Sequence, residues 1–111
     1  MTVTVKVLIP AKIAEAAQTT QYTATGVTTI IDKFTATNYS AAAATISVNL
    51  VTAADTAGNQ NLITKTKTLQ PAETYTFPEL VGHVLAASGF ISTIAGTATS
   101  INIRASGREV T

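Results

Sequence analysis

Alternation of apolar and polar side chains at a period of two most narrowly limits what this chain can fold into. Ala44, Ile46, Val48 and Leu50 alternate with Thr45, Ser47, Asn49 and Val51. Near the N-terminus, Val3, Val5, Val7 and Ile9 share one predicted face, with Thr2, Thr4 and Lys6 on the other. That period fits the pleat of a strand with one wet face, not the 3.6-residue turn of a helix. Threonine is roughly a fifth of the 111 residues. Its branched Cβ is stiff at χ1 and suits a half-buried pleated surface.

Further strands are predicted at Gln18–Thr25, Thr28–Asn38, Asn61–Leu69, Thr74–Phe77, Phe90–Ala95 and Thr99–Ala105. Ile30, Phe34 and Ala36 of the second of these should point inward, as should Ile101, Ile103 and Ala105 of the last. Turn chemistry separates them: Gly26, Asn38–Ala42, Thr52–Gln60, Gln70–Glu73, Ser88–Gly89 and Gly96. Pro10 and Pro78 are expected to stop strands. Lys12–Gln18 (KIAEAAQ) is the one predicted helical turn, and Glu79–Ala87 reads equally as a helical turn or a buried strand. Gly107 is expected to mark a bulge. Lys65 and Lys67 would blunt an exposed sheet edge. About eight short antiparallel strands at such spacing specify an all-β fold, a jelly-roll-like β-sandwich, and not a βαβ fold. The length implies one sandwich over residues 19–111, preceded by residues 1–18 as an N-terminal strand or arm that orders on assembly.

The charged fraction is 12%, about half of what an ordinary soluble domain carries. Small neutral residues take the place of the missing ions. Such a surface loses little hydration when it docks on another surface, and it repels copies of itself weakly. Much of it is therefore expected to be covered in an assembly. A net charge of +1 without basic blocks argues against nucleic acid. No apolar run is long enough to span a bilayer as a helix, and Met1–Ile9 lacks the basic start of a signal peptide. Cysteine is absent, so thiolate metal sites and cysteine nucleophiles are excluded. Synthesis in a cytoplasm fits that composition.

The side chains that carry chemistry are sparse. His83 is the only histidine, so any Ser-His-Asp triad must use it. Ser88 and Ser92 lie on turn and strand patterns without a nucleophile-elbow motif. Glu79 and His83 are four apart, a spacing that pairs two ligands on a helix, but no third donor lies nearby. Glu15, Asp32, Asp55, Glu73, Glu79 and Glu109 show no pairing motif, and the six glycines form no phosphate loop. The expectation is a protein without enzymatic activity, catalytic residues, metal or cofactor. Arg104 and Arg108 share a predicted face and would either clamp a partner's carboxylate or pair locally. Tryptophan is absent. A sugar-binding surface would need Tyr22, Tyr39 or Tyr75 together on exposed loops, with Phe34, Phe77 and Phe90 left to the core.

Two runs, LQPAETYTFPELVGHVLAASGFI (69–91) and TATSINIRASGREVT (97–111), resemble small β-rich virion proteins of tailed bacteriophages and prophages. TTIIDKFTATN (28–38) and TISVNLV (45–51) join the likeness, which covers about Tyr22 to Thr111. The resemblance implies a structural role in a virion assembled in a bacterial host: a capsid-stabilising cement or decoration protein, or a minor head or tail component. It further implies a homo-oligomer, with a trimer favoured, that binds the major capsid protein or other virion proteins. The rival expectation is a tail-associated receptor- or carbohydrate-binding module.

Overall fold

A computed structural model describes every residue, Met1–Thr111. Nine strands form two sheets: β1 (Val3–Ile13), β2 (Thr19–Thr23), β3 (Thr28–Asn38), β4 (Ala44–Val51), β5 (Leu62–Leu69), β6 (Thr74–Tyr75), β7 (Val84–Leu85), β8 (Phe90–Ala95) and β9 (Ile101–Val110). A single 3-10 turn, Asn59–Asn61, precedes β5. The first sheet has the order β1-β9-β3-β6, with β7 also on β3, and the second β2-β8-β4-β5. Every pairing is antiparallel, and the pairs nest. β1 meets β9, β2 meets β8, β3 meets β6 and β7, and β4 meets β5. Nested pairing of this kind is one long ribbon folded over on itself, the jelly roll. The sixth of the eight strand positions of that ribbon is split into β6 and β7 by a run of turns at Phe77–His83.

Three expectations are corrected. Pro10 does not end β1, and Lys12–Gln18 holds no helix. β1 is an edge strand, and Pro10 sits exposed within the register shift between Ile9 and Lys12, where no ladder donor is required. The strand resumes with Lys12 opposite Ile103, and Ala14 N–H donates to Ile101 O at 2.8 Å. Residues 1–18 therefore carry the first strand of the sandwich, Val3–Ile13, and bury Leu8, Ile9 and Ala14 in its core.

Bulges account for two further corrections. A shift between Val7 and Ile9 turns Leu8 and Ile9 inward, at 4% and 1% exposure, and separates Ile9 from the face of Val3, Val5 and Val7. A shift between Ile31 and Lys33 brings Ile31 inward and leaves Ile30 on the outer face. Gly107 lies on the central strand between these bulges and is itself regularly paired. A Cβ there would collide with the Ile30 carbonyl oxygen and come within 2.8 Å of Leu8 Cδ1. The two bulging neighbours press so close that only glycine fits.

The core is one cluster between the sheets. Phe34 and Phe77 meet edge to face with centroids 4.8 Å apart, and Tyr75 lies against Phe77 at 4.6 Å. Phe90, expected inside, is only half-buried. The predicted wet face of β4 is covered as well. Asn49 Nδ2 donates to Gly58 O at 2.9 Å and Asn61 Oδ1 at 2.7 Å, and Ser47 Oγ accepts the Thr66 N–H at 2.8 Å. Tyr22 ties the two sheets together. Its hydroxyl lies 2.6 Å from Thr29 Oγ1 and donates to Glu109 Oε2 at 2.5 Å, while Lys6 Nζ lies 3.2 Å from the same carboxylate oxygen.

Candidate functional site

The fold disperses the residues that catalysis would need. Glu79 and His83 lie on turns, not on one helix face. Glu79 is directed at Thr64 Oγ1 (2.5 Å) and Tyr75 Oη (2.7 Å), both donating to its carboxylate. Burial works to raise the Glu79 pKa, but these hydroxyls and Lys67 outweigh it and hold it below the usual value. His83 is exposed, and its backbone carries the structural role: its carbonyl accepts the Ile31 N–H at 3.0 Å. It borders a shallow depression of about 310 Å³ with Leu50, Ile63, Val84 and Leu85. Ser92 is buried, accepts from Gln18 Nε2 at 2.7 Å and donates to Thr19 O. Ser88 occupies an exposed turn at φ +69°. The remaining acids each keep a separate local partner: Glu15 with Lys12 and Gln21, Asp32 with Arg108, Asp55 with Thr56, Glu73 with Gln70, Glu109 with Tyr22 and Lys6. No three His, Asp or Glu side chains gather into a metal-binding group.

The tyrosines do not converge. Tyr22 is a core residue, Tyr75 packs on Phe77 beneath Lys67, and only Tyr39 is exposed. Arg104 and Arg108 do share the outer face of β9. Arg108 pairs locally, donating from Nε and Nη2 to Asp32 at 2.9–3.3 Å, so the two guanidiniums form no joint clamp. This pair is open to solvent on both sides, and the guanidinium holds the Asp32 carboxyl below its ordinary range.

The outer face of the first sheet is the feature that stands apart. Register aligns Val5, Arg108, Ile30 and Val84 in one row across β1, β9, β3 and β7. Val3 and Val110 form the row beside it, and Val7 opposite Ser106 the row on the other side. Val3, Val5, Val7 and Val84 are 50%, 84%, 41% and 56% exposed, and Val81 in the preceding turn is 50% exposed. Apolar side chains in contiguous rows form a patch, unlike the scattered exposed hydrophobics of an ordinary surface. Its ionic features are the Arg108–Asp32 pair and the exposed Lys33, which lies opposite Ser106. Sequence reasoning placed Val3, Val5 and Val7 with Ile9. The signal against that reading was the unbroken apolar run Val7-Leu8-Ile9, which alternation cannot accommodate without a bulge.

Compared with protein-family models, curated proteins and solved structures, the chain matches none.

Proposed function

We propose that this chain is a non-enzymatic structural protein of a phage virion, a capsid cement, decoration or minor capsid protein that acts by adhesion to its neighbours. The observation that carries the reading is the valine-lined outer face of the first sheet on a chain with few charges. Jelly rolls serve capsid proteins, lectins and cupins alike, so the fold alone is neutral between functions. The outer face favours adhesion. Apolar rows that remain exposed on a folded monomer gain free energy when another protein covers them. The assignment to a virion rests on the resemblance of residues 22–111 to phage structural proteins. Under it, the partner is the major capsid protein or another virion protein.

Two measurements test this. Separation of particles into heads and tails, followed by mass spectrometry, should find the chain in the head fraction at many copies per particle; absence from particles refutes the virion role. Val84→Lys, a change at an exposed site, should leave the fold intact and reduce binding to capsids. Undiminished binding would remove the outer face from the mechanism.

A further inference from the structure

We infer that the free edge of β1 at Val3–Val7 pairs antiparallel with the same edge of a second copy, about a two-fold axis through Val5. The inference rests on the strand edge and does not depend on the chain belonging to a virion.

The backbone supplies the first argument. Thr2 and Thr111 exchange both of their backbone hydrogen bonds, at 3.0 and 2.9 Å. Antiparallel pairing alternates, so Thr4 and Lys6 also turn their backbone groups toward β9. Val3, Val5 and Val7 turn theirs outward to the open edge. The register between Val3 and Val7 is unbroken. Beyond it the bulge at Leu8 and then Pro10 interrupt the edge, so five residues are the natural length of any added pairing.

The side chains supply the second. A two-fold through Val5 sets Val5 opposite Val5 of the copy, Val3 opposite Val7, and Thr4 opposite Lys6. β-branched residues then face each other on one side, and no two like charges are directly opposed. Lys6 keeps Glu109 of its own chain as ionic partner. Moving the axis one residue, to Lys6, would set two ammonium groups face to face. The sequence VTVKV is thus self-complementary about Val5.

The third argument is closure. An exposed apolar edge strand invites open-ended association unless something ends it. A two-fold contact uses both edges at once and closes. The far side of the same sheet offers only the two-residue strands β6 and β7, too short to continue the stack. In the second sheet the edge strand β5 carries Lys65 and Lys67, and its Thr66 is twisted to φ +44°. Association through β1 therefore stops at a dimer.

The absence of cysteine makes the register testable by single thiols. Directly opposed residues of an antiparallel pair lie about 5.5 Å apart between Cα atoms. Val3 and its own symmetry mate would be four residues apart along the strands, roughly 13 Å. With a short bifunctional thiol reagent, Val5→Cys should give covalent dimer readily. Val3→Cys alone should do so poorly, and a mixture of Val3→Cys and Val7→Cys chains should give heterodimer. Sedimentation of the unmodified protein over a wide concentration range should show a monomer–dimer equilibrium. Val5→Lys, which opposes two charges at an exposed site, should weaken it at least roughly tenfold with an unchanged circular dichroism spectrum. A monomer at all concentrations, a trimer, or equal cross-linking of the Val3 and Val5 variants would overturn the inference. None of these outcomes touches the capsid-binding test above.

Discussion

Replacing Tyr22 with phenylalanine isolates the polar link between the two sheets. The ring can stay in place, so packing changes little. What is lost is one hydroxyl that reaches Thr29 at 2.6 Å and Glu109 at 2.5 Å. A hydrogen bond to a charged group contributes about 1.5–3 kcal/mol net, and a buried hydroxyl left without a partner costs about 1–3 kcal/mol. Thr29 is 0% exposed, so no solvent replaces the lost partner. The two contributions overlap, and the expected loss is about 2–4 kcal/mol, or roughly 8–16 °C in melting temperature for a domain of this size. Urea denaturation followed by circular dichroism reads it, with the slope unchanged if packing is preserved. Replacing both partners with apolar groups can be nearly neutral. Adding Thr29→Val to the variant should therefore restore about 1 kcal/mol or more. Alkaline pH supplies an independent check. Burial first, and Glu109 second, push the Tyr22 hydroxyl from its ordinary value near 10 up to about 12. A group raised in the folded state gives stability that is complete below its unfolded pKa and is lost as pH climbs through the folded one. The wild type should lose stability between roughly pH 10 and 12 that the phenylalanine variant never had. A stability loss below about 0.5 kcal/mol, with parallel alkaline profiles for the two proteins, would refute the sheet-linking role.

Gly107→Ala should destabilise by about 1–3 kcal/mol or more, because the obstacle to the new methyl is the Ile30 backbone carbonyl and cannot rotate away; a thermal melt that does not move would show that the strands are not so close. Deletion of residues 1–18 should leave an unfolded chain by circular dichroism, since β1 covers one edge of β9 and buries Leu8, Ile9 and Ala14; a cooperative melt in the truncated protein would restore the separable arm. The Glu79 carboxyl is held below its usual value in the folded state, so its contribution is present above the unfolded pKa of about 4.3 and is lost as pH falls through the folded one. Glu79→Gln should flatten the acid limb of the stability profile, and an unaltered limb in acid titration would count against its links to Thr64 and Tyr75.

Much of the fold was legible in local pattern. β3, β4 and β8 fall on the predicted residues, and the sandwich follows from alternation, threonine content and turn spacing. The patterns failed where a strand's environment, and not its composition, set its course. Pro10 would stop a central strand, but β1 lies at an edge and runs on to Ile13. KIAEAAQ has helical propensity, yet pairing with β9 claims its first two residues and its helix is too short to hold alone. The candidate site was the least legible. Val3, Val5 and Val7 read as one face with Ile9, and their separation from it depends on a bulge at Leu8.

The sequence by itself determined that this chain forms alternating strands, that glycine and proline punctuate them, and that few charges coat the result. These are properties of neighbouring residues, and local sterics and hydrophobic periodicity suffice to set them. Which face of each strand is wet, which strand stands at an edge, and how the Tyr22 hydroxyl meets Glu109 eighty-seven residues away were decided only in the tertiary structure. A bulge shifts parity by one residue, and whether it forms depends on the partner strand's backbone, which no local pattern contains.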